Sequence, residues 1–407
     1  MINCRVDQIG RLRPSLLQLY AGKAGRAKIN LSVGQPEMDP SPEAVEAVNK
    51  AVARTGHAGY TAAAGSARLL AEVVKYFESL GFANSGEISQ DNVVVSHGAK
   101  LLIDVALRVL CRPGDRVIWF GPGYTYGRSA WFNNLESVMI PCQPPDFNPD
   151  LEQLETELVA ALEDRRLATV IINSPANPTG RVWSQADMNG LVDLVTSFPG
   201  TSVIADETYA GLVYSQENNI FGSPTWRSGM TDKTVVIRSG SKGMRLPGYR
   251  LGLACGPQEI IAAMNSLLGD CVGCPNVLTQ EVAIHTLSHY RQCCLEQLPS
   301  LLEKRAILQS WLDNQQLPFA LIEGAFYAFV DFSRLLNLWH QCDTIAMVDK
   351  LLLEYGVGII PGPAFGESYS DFSTWARLSF AGPQEKLALG LSRLGQALMS
   401  PKSVPIG

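Results

Sequence analysis

Hydrophobic positions along the chain fall into short β-branched runs, separated by stretches with helical spacing. Runs at 92–96, 115–120, 169–172, 201–205 and 234–237 read as buried strands, and each leads into Gly, Pro, Asp, Ser or Asn punctuation. A shorter strand-like run at 28–33 precedes a turn-rich loop from Gly34 to Pro42. Helices are predicted at 43–54, with Ser41 as N-cap and Pro42 in the first turn, and at 69–80. Another begins just after Gly98, with Leu101, Leu102, Val105, Ala106 and Val109 on its apolar face. Strands alternating with helices predict an α/β fold around a mostly parallel sheet, whose strand ends gather the polar loops at one rim.

Beyond Val272 the pattern changes. One long helix is predicted at 285–315, broken or kinked at Pro299. An α+β tail follows, with strand 325–330, helix 344–355, strands 357–360 and 375–380, and helix 384–399. Residues 400–407 are expected to be disordered. The chain should therefore divide into an N-terminal segment (1–45) belonging to a small domain, a large domain (46–290), the rest of the small domain (291–400) and a tail (401–407).

Composition narrows the class. At 407 residues and 46% hydrophobic content, the chain can bury a large core. The net charge is −6 with no Lys/Arg block, so the footprint of a nucleic-acid or anionic-membrane binder is missing. Residues 1–8 have no apolar core behind them and no run approaches membrane-span length, so a soluble, cytoplasmic protein is expected. Nine cysteines without a secretion signal point to free thiols in a reducing compartment. Cys271 and Cys274 form one C-x-x-C with no second pair at zinc-ribbon spacing, so packing thiols are expected and no metal.

Candidate chemistry centres on Arg238-Ser239-Gly240-Ser241-Lys242-Gly243, followed by Arg250. A lysine among small residues, near a fixed cation, suits an amine that condenses with an aldehyde. The neighbouring Ser239 and Arg250 suit a phosphate. The predicted topology brings Gly98, Ala99, Lys100, Tyr124, Asn177, Asp206, Tyr209 and Lys242 to one rim. A phosphorylated pyridine aldehyde placed there would use Asp206 to keep its ring nitrogen protonated. Asn177 and Tyr209 would face its ring oxygen, and Tyr124 could stack on its face. Ser239, Arg250 and the amides of Ala99 and Lys100 would hold its phosphate. Each feature alone has a plainer reading as a turn, a cap or a surface charge.

Together, and in order along nearly the whole chain, these motifs resemble the class I/II aminotransferase family of fold type I. The likeness is carried by Gly34-Gln35-Pro36, Tyr60-Thr61, Gly98-Ala99-Lys100, Asn173-Ser174-Pro175-Ala176-Asn177-Pro178-Thr179-Gly180 and Asp206-Glu207-Thr208-Tyr209. It continues through Ser239-Gly240-Ser241-Lys242, Gly248-Tyr249-Arg250-Leu251-Gly252, Gly324-Ala325-Phe326-Tyr327, Pro361-Gly362-Pro363 and Arg377-Leu378-Ser379. The resemblance implies pyridoxal 5'-phosphate on Lys242, with Asp206 and Tyr209 completing the catalytic set. It also implies Arg377 on the substrate carboxylate beside Gly34 and Asn177, and a homodimer in which Tyr60 reaches the partner's phosphate.

The default activity is amino-group transfer on an α-amino acid through a Cα-deprotonated state. Two departures bear on the substrate. Gly123 precedes Tyr124 where many relatives have an aromatic pair after the proline, which could leave extra room above the cofactor. Asp270 lies where relatives read the substrate side chain, and an acid there favours a cationic substrate, although a solvated or capping Asp explains it equally. The alternative activity is therefore cyclisation of hydroxylated L-arginine, as in a specialised branch of the family. A non-catalytic regulator would need a DNA-binding segment that does not fit in the 30 residues before the first core strand.

Overall fold

The computed structural model describes residues 14–54, 59–82, 88–214 and 230–399. The predicted tail at 401–407 lies outside them. The α/β architecture is as expected. Twelve strands are described: β1 (Ile29–Asn30), β2 (Val93–His97), β3 (Arg116–Gly121), β4 (Glu136–Pro141), β5 (Ala168–Asn173), β6 (Thr201–Asp206), β7 (Thr234–Ser239), β8 (Leu251–Cys255), β9 (Tyr327–Asp331), β10 (Val357–Gly358), β11 (Ile360–Pro361) and β12 (Trp375–Ser379). The central sheet runs β2-β8-β7-β6-β5-β3-β4. β8 is its one reversed strand, antiparallel to both β2 and β7, while β7-β6-β5-β3-β4 pair in parallel.

Register decides what meets at the rim. Asn173 pairs with Asp206, Asp206 with Ile237, Ser239 with Gly252, and His97 with Leu251. Adjacent strands lie about 4.8 Å apart. The residues at or just beyond these ends, Gly98, Arg250, Ser239, Asp206 and Asn173, therefore form a row along one edge. Val, Ile and Leu side chains above and below the sheet are buried in two clusters, which fits strands that are covered on both faces.

Several elements depart from the pattern reading. Strands β4 and β8 and the helix Leu16–Ala24, which Ser15 and Gln18 close with a capping box, are additional. The predicted 357–360 strand splits. Val357–Gly358 pairs in parallel with β1, whereas Ile360–Pro361 pairs antiparallel with β12. The predicted 344–355 helix is α-helical over Thr344–Lys350 and continues as a π-helical turn, Leu351–Tyr355. Pro299 does not break its helix, which runs unbroken as Tyr290–Gln315. Tertiary contacts pin it on both sides of the proline. Gln297 donates to the Gly243 carbonyl at 2.9 Å, and buried Lys304 reaches Glu37 at 2.8 Å and the Gly382 carbonyl at 3.0 Å. These bonds outweigh one missing N–H. Among the described residues, no helix is long and apolar enough to cross a membrane, and no cluster of His, Cys, Asp and Glu could hold a metal ion.

One ion pair sits directly beneath the rim. Arg238 of β7 and Glu207, just after β6, meet at 2.6 Å with side chains 1% and 3% exposed. The pair ties the strand that ends at Asp206 to the strand that ends at Ser239. Removing one partner leaves a buried charge without this counter-ion, at a cost of about 3–5 kcal/mol, whereas replacing both with apolar groups is far milder. Arg238→Met should accordingly lower the thermal midpoint sharply, and adding Glu207→Leu should recover much of the loss. A melt in which the double variant is worse than the single one would contradict this.

Candidate active site

The loop that follows β7 carries Lys242 and is built from small residues for a steric reason. A Cβ on Gly240 would lie 3.0 Å from Leu251, and one on Gly243 would lie 2.7 Å from the Tyr290 ring. The backbone is thus pressed onto its floor, and the lysine is directed inward. Its Nζ donates to the Gly34 carbonyl and lies 5.8 Å from the centre of the Tyr209 ring. Burial lowers its pKa to about 8, with Arg377 and Arg250 adding to the effect and Asp206 opposing it. About a fifth of this amine is therefore neutral near pH 7.4, far more than for an ordinary lysine.

Asp206 is buried at the end of β6. Its Oδ1 accepts from the Thr208 amide at 3.2 Å and the Thr208 hydroxyl at 2.6 Å, and its Oδ2 accepts from the Tyr126 hydroxyl at 2.7 Å. Burial raises its pKa, while these bonds and Lys242 act against that shift. The carboxylate keeps acceptor capacity for a further donor, and a cationic N–H is the donor that best offsets its burial. Tyr126 was not expected from the sequence; its only signal is the Tyr124-Thr125-Tyr126 repeat after a strand end. Asn173 braces the same corner by donating to the Asp206 carbonyl at 2.8 Å and accepting from the Asn177 amide at 2.9 Å.

Arg377 comes from β12 and is 4% exposed. It donates to Asn177 Oδ1 at 2.7 Å and to the Ser32 carbonyl at 2.8 Å, and its guanidinium lies 4.2 Å from the Tyr327 ring centre and 5.1 Å from that of Phe365. Its Nε is buried without a hydrogen-bond partner among the described residues. A rigidly held fork with an unmet donor is suited to a carboxylate.

An anion cradle lies at the start of the helix Ala99–Leu110. Gly98 takes φ +91°, and a Cβ there would collide with the Arg250 guanidinium. Arg250 is itself left-handed, at φ +58°, and is steadied by donating to the Pro247 carbonyl at 2.8 Å. Ser239 accepts from the Ser241 amide at 3.1 Å. Free amides at a helix start, one guanidinium and a hydroxyl make a phosphate site. Together with the open acceptor on Asp206 and the inward amine of Lys242, this set fits a phosphorylated pyridine aldehyde.

A cavity of about 180 Å³ joins these parts and is lined by Ala99, Lys100, Tyr124, Asn177, Asp206, Tyr209, Ser239, Lys242 and Arg250. Gly34 and Arg377 border it through Lys242 and Asn177. Two sequence candidates lie elsewhere. Tyr60 is 98% exposed, and Asp270 is exposed on the helix Gln258–Val272, outside the cavity. At Gly123 a Cβ would lie 2.9 Å from the Trp119 ring, so the chain has glycine there for close packing.

The chain as a whole is similar to known proteins. Residues 26–394 match the model of the family described as aminotransferase class I and II. The chain is 30% identical to a bifunctional aspartate aminotransferase and glutamate/aspartate-prephenate aminotransferase of Petunia hybrida, over 94% of this chain and 79% of that one. It is 29% identical to an aspartate aminotransferase of Thermotoga maritima, over 98% and 100%. In three dimensions it resembles the Thermus thermophilus aspartate aminotransferase solved with maleate, with TM-score 0.85, 25% identity and coverage of 96% and 98%. A lysine, an aspartate and an arginine brought together on this fold, and a family match over most of the chain, lead to one conclusion: the chain is an enzyme that belongs to the class I and II aminotransferases.

Proposed function

We propose that this chain is a pyridoxal 5'-phosphate-dependent aminotransferase that moves an amino group between an α-amino acid and a 2-oxo acid. The observation that carries the reading is the meeting of Lys242, Asp206 and Asn177 around one cavity, with Arg377 held on Asn177 at its border. Ser239, Arg250 and the amides of Ala99 and Lys100 would hold the phosphate, Asp206 the ring nitrogen, Asn177 and Tyr209 the ring oxygen, and Tyr124 the ring face. Once bound, the pyridoxal group supplies an electron sink for the charge left when the substrate loses its Cα proton.

The chain's own residues do the rest. Arg377 takes the substrate carboxylate in its fork beside Gly34 and so fixes which bond at Cα faces Lys242. Lys242 Nζ, neutral in large part near pH 8, takes that proton and returns it. Asp206, which Thr208 and Tyr126 supply with donors against the burial that raises its pKa, would hold a proton on its ring partner. The chain acts as a homodimer in the cytoplasm in this reading, with exposed Tyr60 reaching the partner's phosphate. The eight described cysteines are free, in keeping with a reducing compartment. Amino-group transfer is preferred to cyclisation of a hydroxylated arginine. Asp206 is the one carboxylate among the described residues lining the cavity, and it is already committed to the ring.

Three outcomes follow. Lys242→Ala should abolish the visible absorbance of the loaded protein and reduce turnover by at least about 10³-fold, as expected when the proton-transfer group is lost. Retained turnover would overturn the assignment. Arg377→Lys keeps the charge but loses the fork, so KM for the amino acid should rise by about 10–100-fold while the spectrum is kept; steady-state kinetics with a panel of amino acids checks this and reports the preferred side chain. The pKa of Lys242 is lowered, so its reactive neutral form dominates above about 8 rather than above 10.5. The rate at which cofactor-free protein takes up pyridoxal phosphate should rise with pH through a midpoint near 8, and a midpoint at the ordinary lysine value would exclude the buried, cation-flanked amine.

A further inference from the structure

Tyr327 has no part in the chemistry assigned above, yet three pieces of the site touch it. It opens β9 and is buried. Its hydroxyl lies 2.9 Å from the Tyr209 hydroxyl, and its ring supports the Arg377 guanidinium at 4.2 Å. A Cβ on Gly34 would collide with that hydroxyl, so the residue that offers its carbonyl to Lys242 has to be glycine for Tyr327 to stay in place. Burial is the main cause that raises the pKa of both phenols. Both therefore remain protonated, and each has one proton to donate.

Two hydroxyls joined by one hydrogen bond use one proton between them. If Tyr209 donates to Tyr327, Tyr209 can only accept from anything else in the cavity. If Tyr327 donates, the Tyr209 proton is free, and accepting that bond makes Tyr209 a stronger donor in turn. Only the second arrangement is compatible with Tyr209 serving an oxygen that carries negative charge.

We propose that Tyr327 is a positioning residue whose hydroxyl donates to Tyr209 and so turns the Tyr209 proton toward the ring oxygen of the bound cofactor. The inference rests on the reading of Tyr209 as a partner of that oxygen. Tyr327 touches neither substrate nor cofactor in this arrangement and acts through Tyr209 alone. Its ring has a separate task beneath Arg377, which a phenylalanine would still perform.

The test is a pH titration of the visible absorbance band of the cofactor-loaded protein. A proton donated to the ring oxygen favours the high-pH form, in which that oxygen keeps its charge with no cation beside it. Weakening the donor therefore raises the midpoint. Tyr209→Phe sets the full shift. Tyr327→Phe should give about a tenth to a third of that shift, in the same direction. It should change KM for the amino acid by less than about twofold, because the ring under Arg377 is kept. The double variant should shift no further than Tyr209→Phe alone. Gly34→Ala, which pushes the hydroxyl aside instead of deleting it, should also raise the midpoint. If Tyr327→Phe leaves the midpoint unmoved while Tyr209→Phe shifts it, or if the two shifts add in the double variant, the proposal is wrong and the reading of Tyr209 stands. If Tyr209→Phe itself moves nothing, both are wrong.

Discussion

A buried carboxylate is unstable unless its surroundings supply donors, and Asp206 places that demand on everything near it. Thr208 and Tyr126 meet part of it from within the protein, while burial still pushes the carboxyl toward its neutral form. The remaining deficit is what a ring cation can fill. Lys242 feels the opposite pressure: burial and two guanidinium groups disfavour its charge. The two groups are thus displaced in complementary directions by one dry environment, the acid kept ready for a cation and the amine made nucleophilic.

That environment depends on close approach of backbone to side chain. Gly34 under the Tyr327 hydroxyl, Gly98 under the Arg250 guanidinium and Gly243 against the Tyr290 ring all sit where a Cβ would force something to move. Arg250, Tyr124 and Tyr209 can then line a space of about 180 Å³ with the lysine, and Arg377 borders it through Asn177, held by fixed partners and not by loose packing. The Arg238–Glu207 pair lies beneath and ties together the two strands that end at Asp206 and Ser239.

Much of this was legible in the order of residues. The β-branched runs located β2, β3, β5, β6 and β7 to within a residue or two at each end, because a strand covered on both faces leaves a continuous apolar run. The loops that carry Gly98, Asn177, Asp206 and Lys242 followed from topology, since parallel strands put their C-terminal ends at one edge. Tyr126 and Tyr327 were not legible. Their roles depend on which phenol lies within reach of Asp206 or Tyr209, and no local spacing encodes a contact between residues 80 or 118 positions apart. Pro299 misled for a similar reason: its local effect is to end a helix, and only Gln297 and Lys304, anchored to distant segments, keep the helix going.

Sequence alone, then, determined the α/β class, the family resemblance and the candidate lysine, Lys242. These depend on period, punctuation and short motifs, which are properties of neighbours along the chain. The tertiary structure decided the reversed β8 strand, the phenols that serve Asp206 and Tyr209, the lowered pKa of Lys242, the space taken by Trp119 beside Gly123 and the position of Asp270 outside the cavity. Each of these is set by distance and burial between segments far apart in the chain, and those quantities exist only once the segments have packed.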